Sequence, residues 1–234
     1  WLKTGASAAV IKGSSDRLLV LASVAMGQFL TGALLVAFVA PPAPASWPAL
    51  GFSTLCHYFY YACLLQAYRF GDLSLVYPVA RGLSPLLVAV GAAVFWGEFL
   101  PPTALAGVAV TSAGIVCIAL SRGPSAAVGA PALFFAGATG VIISGYTVSD
   151  GVGVRLSGSP LGYIAWLYLF EIPVVVFAFL RRRGCLASSL KSNWRPALGT
   201  ALSSSLAYAL VIYAAKFAPM AAVSCEYMRA RFNL

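Results

Sequence analysis

Few residues in this chain could do chemistry, and several of them stand where apolar residues would be expected. Arg81 lies inside the run Leu73 to Trp96, with Tyr77 one helical turn before it and Ser84 three residues after it, so in a helix all three share a face. An arginine at bilayer depth costs ~2.5 to 3.5 kcal/mol on insertion scales, and function is its default reading. Its guanidinium would bind a carboxylate or phosphate; the plainer alternative is a buried ion pair or carbonyl clamp that fixes packing. Pro78, Gly82 and Pro85 interrupt the hydrogen-bond ladder around it, as in the broken helices that line membrane transport sites. Glu171 is the carboxylate well inside a complete apolar run, and it suits either proton coupling or charge compensation for Arg81.

His57 sits in an unusually aromatic run with Tyr61 one turn on. A lone histidine there reads first as a packing residue and second as a ligand or proton relay. Tyr58, Tyr60, Tyr61, Tyr77, Tyr146 and Tyr208 suit the wall of a cavity for a cationic or amino-acid solute, or anchors at the membrane interface. Glu98 reads as a cap for the helix that follows it, where Pro101 or Pro102 suits a first turn. Asp150 with Gly151 and Gly153 reads as a turn, since the glycine spacing lacks the third member of a nucleotide loop. Gly107, Thr111 and Gly114 form a small-residue stripe suited to close helix packing.

The elements that must hold these residues are long apolar blocks. Of 234 residues, 61% are hydrophobic and 9% charged, against roughly a quarter charged in soluble domains. Such a chain cannot cover a soluble surface. The runs Leu18 to Ala40, Ala49 to Tyr68, Leu73 to Trp96, Ala104 to Leu120, Ala130 to Val148, Leu161 to Leu180 and Pro196 to Ala215 predict seven complete membrane helices. Loops, including Ser149 to Ser159 and a basic one from Arg181 to Arg195, separate them. Gly5 to Ile11 and the start at Met220 are too short to cross and are read as cut helices.

The net charge of +9 resides in the connections. Lys12, Arg17, Arg69, Arg122, Arg181, Arg182, Arg183, Lys191 and Arg195 fall in one set of alternating loops, and only Arg155 and Lys216 in the other. Nine against two places the first set in the cytoplasm, and no basic stripe remains for nucleic acid. The five cysteines form no C-x-x-C pair, so neither a disulfide framework nor a metal site is expected. No cofactor is expected either.

An internal repeat appears at an offset of 147, with Tyr61 to Phe70 over Tyr208 to Phe217 and Val76 over Val223. It aligns the third span with the eighth, and a five-helix unit repeated across an odd number of spans must be inverted.

At Gly71 to Gly82 (GDLSLVYPVARG), the Gly97-Glu98 turn and the span closing at Gly123, the sequence resembles the EamA domain of the drug/metabolite transporter superfamily. Gly145 to Arg155, Pro160 to Tyr163 and Ala218 to Ser224 continue the resemblance. It implies ten helices in two inverted five-helix repeats that move small metabolites. Two departures stand out: there is no second Gly-Glu turn, and the arginine that closely follows the last serine in members stands back at Arg229.

The expected fold is therefore all-α, a polytopic transmembrane helix bundle. Its first repeat would be 1-123, its linker 124-129, and its incomplete second repeat 130-234. The expected function is secondary transport, chiefly export, of small organic metabolites by alternating access. The expected setting is multi-pass in a bacterial inner membrane, with the bilayer and a small-molecule substrate as partners; a homodimer is compatible with it. Arg81, Tyr77, Ser84, His57, Tyr61 and Tyr146 are the candidate substrate residues and Glu171 the candidate for proton coupling. Orientation stays open, because the resemblance implies cytoplasmic termini against the charge count. An intramembrane hydrolase using His57 and an inactive truncated fragment are the alternatives. The first lacks a second facing aspartate, H-E-x-x-H and G-x-S-G motifs, and no Walker motif suggests ATP hydrolysis.

Overall fold

The computed structural model describes residues 17–70, 73–121, 130–181 and 185–224, and among them every regular element is helical. In chain order these are α1 (Arg17–Val36), a 3-10 turn (Pro44–Ser46), α2 (Trp47–Phe70), α3 (Leu73–Trp96) and α4 (Pro102–Ser121). Then come α5 (Ala130–Leu156), α6 (Pro160–Leu169), α7 (Ile172–Arg181) and α8 (Cys185–Ala215). Residues 220–224 are helical again. The expected fragment at Gly5 to Ile11, the linker 124-129 and the tail from Arg229 to Leu234 lie outside the described residues.

Three stretches are long and apolar enough to cross a membrane, Pro78–Trp96, Pro131–Leu156 and Pro160–Arg181. Ala22–Val36, Pro102–Cys117 and Ala201–Ala215 are apolar but shorter. The seven expected spans are thus reduced to three that meet both criteria among the described residues. α2 is long enough, but His57, five tyrosines, Gln66 and Arg69 dilute its apolar character. Large apolar side chains lie exposed along these helices, including Leu34, Phe59, Val94, Val110, Phe134 and Leu206. A surface of that kind fits hydrocarbon better than water.

Three boundaries differ from the sequence expectation. α5 does not stop at Val148 but runs to Leu156, so Asp150, Gly151 and Gly153 are helical, not part of a loop. α8 starts at Cys185, which puts Lys191 and Arg195 in a helix where polarity had implied a loop. The run from Leu161 to Leu180 is broken at Phe170 and Glu171, between α6 and α7. Pro173 is the cause: it has no N–H for the Leu169 carbonyl, and its ring crowds that carbonyl.

The chain forms two compact units. The first comprises the described parts of Trp1–Leu50 and Gly153–Lys216. Here α1 packs on α6, α7 and α8, and the core gathers Leu50, Val154, Tyr163, Ile164, Leu167 and Tyr168 with Ile212 and Ala215 of α8. The Ser159 hydroxyl caps α6 by accepting from Gly162 N–H at 3.2 Å, with Pro160 in the first turn. The Tyr168 hydroxyl donates to the Ser205 carbonyl and ties α6 to α8. Arg155 Nε donates to the Ala215 carbonyl at 2.9 Å, placing a cation at the negative end of α8.

α1 can approach its neighbours because it carries Gly27, against Ala201, and Gly32, against α6. A Cβ on Gly32 would lie 2.7 Å from both Ala165 O and Leu169 N, which are backbone atoms. Gly32→Ala is expected to cost ~1 to 3 kcal/mol, the usual range for overpacking. Gly51→Ala meets nothing within 4 Å and is the control. Thermal unfolding of the purified protein in detergent checks this, and equal melting temperatures for the two variants would refute the close contact.

The second unit comprises Gly51–Val152 and the described part of Phe217–Leu234. α3 packs on α4, and Gly82 of α3 meets Ile115 and Val116. α5 lies against α3 in the same direction: Gly140 abuts the Ala80 carbonyl, and farther along Val148 meets Gly91. Val88, Ala89, Ala92 and Val148 pack on Met220 and Ala221.

Candidate functional site

The second unit holds every candidate substrate residue. Arg81 is only 7% exposed, although α3 is otherwise apolar around it. α3 passes through both Pro78 and Pro85 as a helix. Because Pro85 has no N–H, the Arg81 carbonyl loses its intrahelical partner four residues on. Ser84, three residues from Arg81 and on the same face, is fully buried, and its Oγ has no hydrogen-bond partner among the described residues. Leaving such a hydroxyl unsatisfied costs ~1 to 3 kcal/mol. A polar ligand beside Arg81 would remove that cost. The side chain of Tyr77 lies outside the described residues, so the three-residue face is described for Arg81 and Ser84.

A second cluster joins α2 to α5. The rings of His57 and Tyr146 stack with centroids 4.4 Å apart and planes 24° from parallel. Tyr60 sets its edge against Tyr146 at 6.1 Å, and Tyr61 lies against Tyr60 at 5.5 Å. The helices approach closely because Gly145 lacks a side chain; a Cβ there would sit 3.6 Å from Cys56 Sγ and 3.9 Å from the Phe52 ring. His57 Nδ1 lies 2.8 Å from the Ser53 carbonyl oxygen. A carbonyl only accepts, so Nδ1 carries the hydrogen, and in the neutral ring Nε2 is the acceptor. His57, Tyr61 and Tyr146 thus come together, with Tyr60 added.

The two clusters sit at neighbouring levels. Ala80, next to Arg81, faces Gly140, and Tyr146 is six residues farther along α5, a rise of ~9 Å.

Glu171 belongs to the first unit and is 4% exposed. It occupies the break between α6 and α7. Its N–H donates to Tyr168 O at 3.1 Å, and its carbonyl accepts from Val174 and Val175 N–H at 3.1 and 3.3 Å. The expectation of a carboxylate within a continuous span is corrected: it stands where the helix is interrupted.

Glu98 is corrected in a different way. Its Oε1 accepts from Met220 N–H at 2.6 Å, so it caps the helical residues 220–224, a segment far along the chain, and not the helix that follows it. Gly97 makes the turn: its φ of 65° is left-handed, and its N–H closes α3 on the Ala93 carbonyl at 3.1 Å. Glu98→Ala is expected to cost ~1 to 2 kcal/mol, as lost caps do, whereas Glu98→Gln keeps an acceptor and recovers most of it. Chemical unfolding of the two variants distinguishes them, and equal loss in both would rule out the cap.

Asp150 was missed by the sequence reading. It is 3% exposed and lies on α5 one turn beyond Tyr146. Its spacing of four from Tyr146 was available as a signal, but Gly151 and Gly153 masked it. Those glycines serve packing instead: a Cβ on Gly151 would lie 2.6 Å from Met220 Sδ, and one on Gly153 would overlap the Tyr163 ring. Among the described residues, no group of three His, Cys, Asp or Glu side chains could hold a metal ion.

No family model, no curated protein and no solved structure matches this chain.

Proposed function

We propose that this protein is an integral membrane secondary transporter, chiefly an exporter, of small organic solutes. The observation that carries this reading is the buried Arg81 beside the unpartnered Ser84 hydroxyl on a helix interrupted by two prolines. Ionisable groups inside apolar helices and interrupted helices are the ingredients of solute sites in membrane carriers. The break at Glu171 is a second interruption, with a protonatable group in it. We read the chain as a multi-pass bacterial inner-membrane protein of EamA type. On this reading 1-123 and 130-234 are inverted five-helix repeats joined by 124-129, and transport proceeds by alternating access between them. Arg81 and Ser84 bind the solute, His57, Tyr61 and Tyr146 line its path, and Glu171 couples its movement to protons.

The test is uptake by sealed vesicles that contain the purified protein. Solute that accumulates chemically unchanged, and leaks out when the vesicles are opened, is the expected result. Hydrolysis of peptide or lipid by detergent-solubilised protein, without accumulation in vesicles, would replace the transporter with an intramembrane enzyme.

A further inference from the structure

Asp150 is a buried ionisable group to which the transport reading gives no task. It shares a face of α5 with Tyr146, and that face meets α2, where Tyr146 stacks on His57 and Gly145 abuts Cys56. The charge of Asp150 is felt at the Cys56 thiol, which places the carboxylate toward the same helix. One carboxylate, one imidazole and the rings of Tyr60 and Tyr146 therefore gather between α2 and α5.

The chemistry of this set selects a ligand. The carboxylate supplies negative charge and accepts hydrogen bonds. With Nδ1 hydrogen committed to the Ser53 carbonyl, neutral His57 offers an acceptor at Nε2. The tyrosine rings attract a cation through their faces and edges of electron density. A ligand that uses all of these carries a positive charge and several N–H donors. An anion is repelled by Asp150, and a metal ion would need more ligating groups than the described residues bring together.

We propose that Asp150, with His57, Tyr60 and Tyr146, recognises the protonated amine of the transported solute. The inference rests on the transport reading in naming the amine as part of the cargo, and it gives the cargo a chemical class: small organic amines.

The experiment is calorimetric titration of the purified protein at pH 7 with 2-phenylethylamine and its neutral isostere 2-phenylethanol. Loss of one partner of a buried charged pair typically costs at least ~2 kcal/mol, so the amine is expected to bind about thirty-fold or more tightly than the alcohol. Asp150→Asn should abolish that preference, and Asp150→Glu should keep part of it. His57→Gln, which leaves the carboxylate in place, should weaken the amine and not the alcohol, and it serves if Asp150→Asn fails to fold. Equal binding of amine and alcohol would overturn the proposal, as would a preference that survives in Asp150→Asn. Proton uptake at Asp150 without any amine binding, read from titrations in buffers of different ionisation enthalpy, would also overturn it. Vesicle uptake separates the two readings. Amine binding that depends on Asp150, with no uptake, keeps this site and removes transport. Uptake of other solutes that ignores Asp150→Asn, with no amine binding, keeps transport and removes this site.

Discussion

Arg81→Ala is expected to abolish solute uptake by sealed vesicles while leaving insertion of the protein into the membrane intact. The two effects have opposite signs, which makes the result readable. Removing a charge from bilayer depth lowers the insertion cost by ~2.5 to 3.5 kcal/mol, so membrane accumulation should hold or rise. Removing the group that binds a charged part of the solute costs ~2 to 5 kcal/mol of binding, or roughly thirty-fold to several thousand-fold. Arg81→Lys keeps the charge without the planar fork and should fall between the two. If Arg81 only clamps packing, the pattern inverts. A buried partner left unpaired destabilises the protein by ~3 to 5 kcal/mol, while whatever folds still transports. Unchanged uptake in Arg81→Ala would remove Arg81 from the solute site. Ser84→Ala is a milder companion, because the hydroxyl has no hydrogen-bond partner among the described residues to lose. It should weaken uptake without reducing stability.

The helical character of the chain and the burial of Arg81 were legible because each rests on one strong physical term. Apolar runs of about twenty residues leave the backbone no partners except its own, and a charge within such a run must be shielded. The Glu171 interruption had a signal in Pro173, but the apolar character of the whole run from Leu161 to Leu180 outweighed it. Asp150 was illegible for a related reason. Gly151 and Gly153 beside an aspartate make a turn in water, whereas here they leave room for Met220 and the Tyr163 ring while the helix continues. Only the tertiary neighbours decide between those readings. The Glu98 cap shows the same limit, since its partner Met220 lies 122 residues away and no local pattern points to it. The first half of α8 was read as a loop because Ser188, Ser189, Lys191, Ser192 and Asn193 give no apolar period, although none of them forbids a helix.

Glu171→Gln tests the other half of the transport cycle. Glutamine has nearly the shape of glutamate and cannot carry a proton at neutral pH, so the break between α6 and α7, fixed by Pro173 and by the backbone bonds of residue 171 itself, should survive the change. A carboxylate that couples proton entry to solute movement is needed only when a proton gradient does work. Uptake driven by an imposed pH gradient should therefore fall to the level of protein-free vesicles, while exchange of labelled for unlabelled solute at equal pH continues. Alternating access requires that separation, because exchange uses only the reorientation of the loaded carrier. Were Glu171 present for charge compensation alone, removing its charge would strand a buried partner. Melting temperature would drop, and both kinds of transport would decline together. Loss of gradient-driven uptake with retained exchange and an unchanged melting temperature therefore identifies a coupling residue. Parallel loss of all three identifies a structural one, and coupling would then have to be sought among the other buried ionisable groups, Asp150 and His57 first.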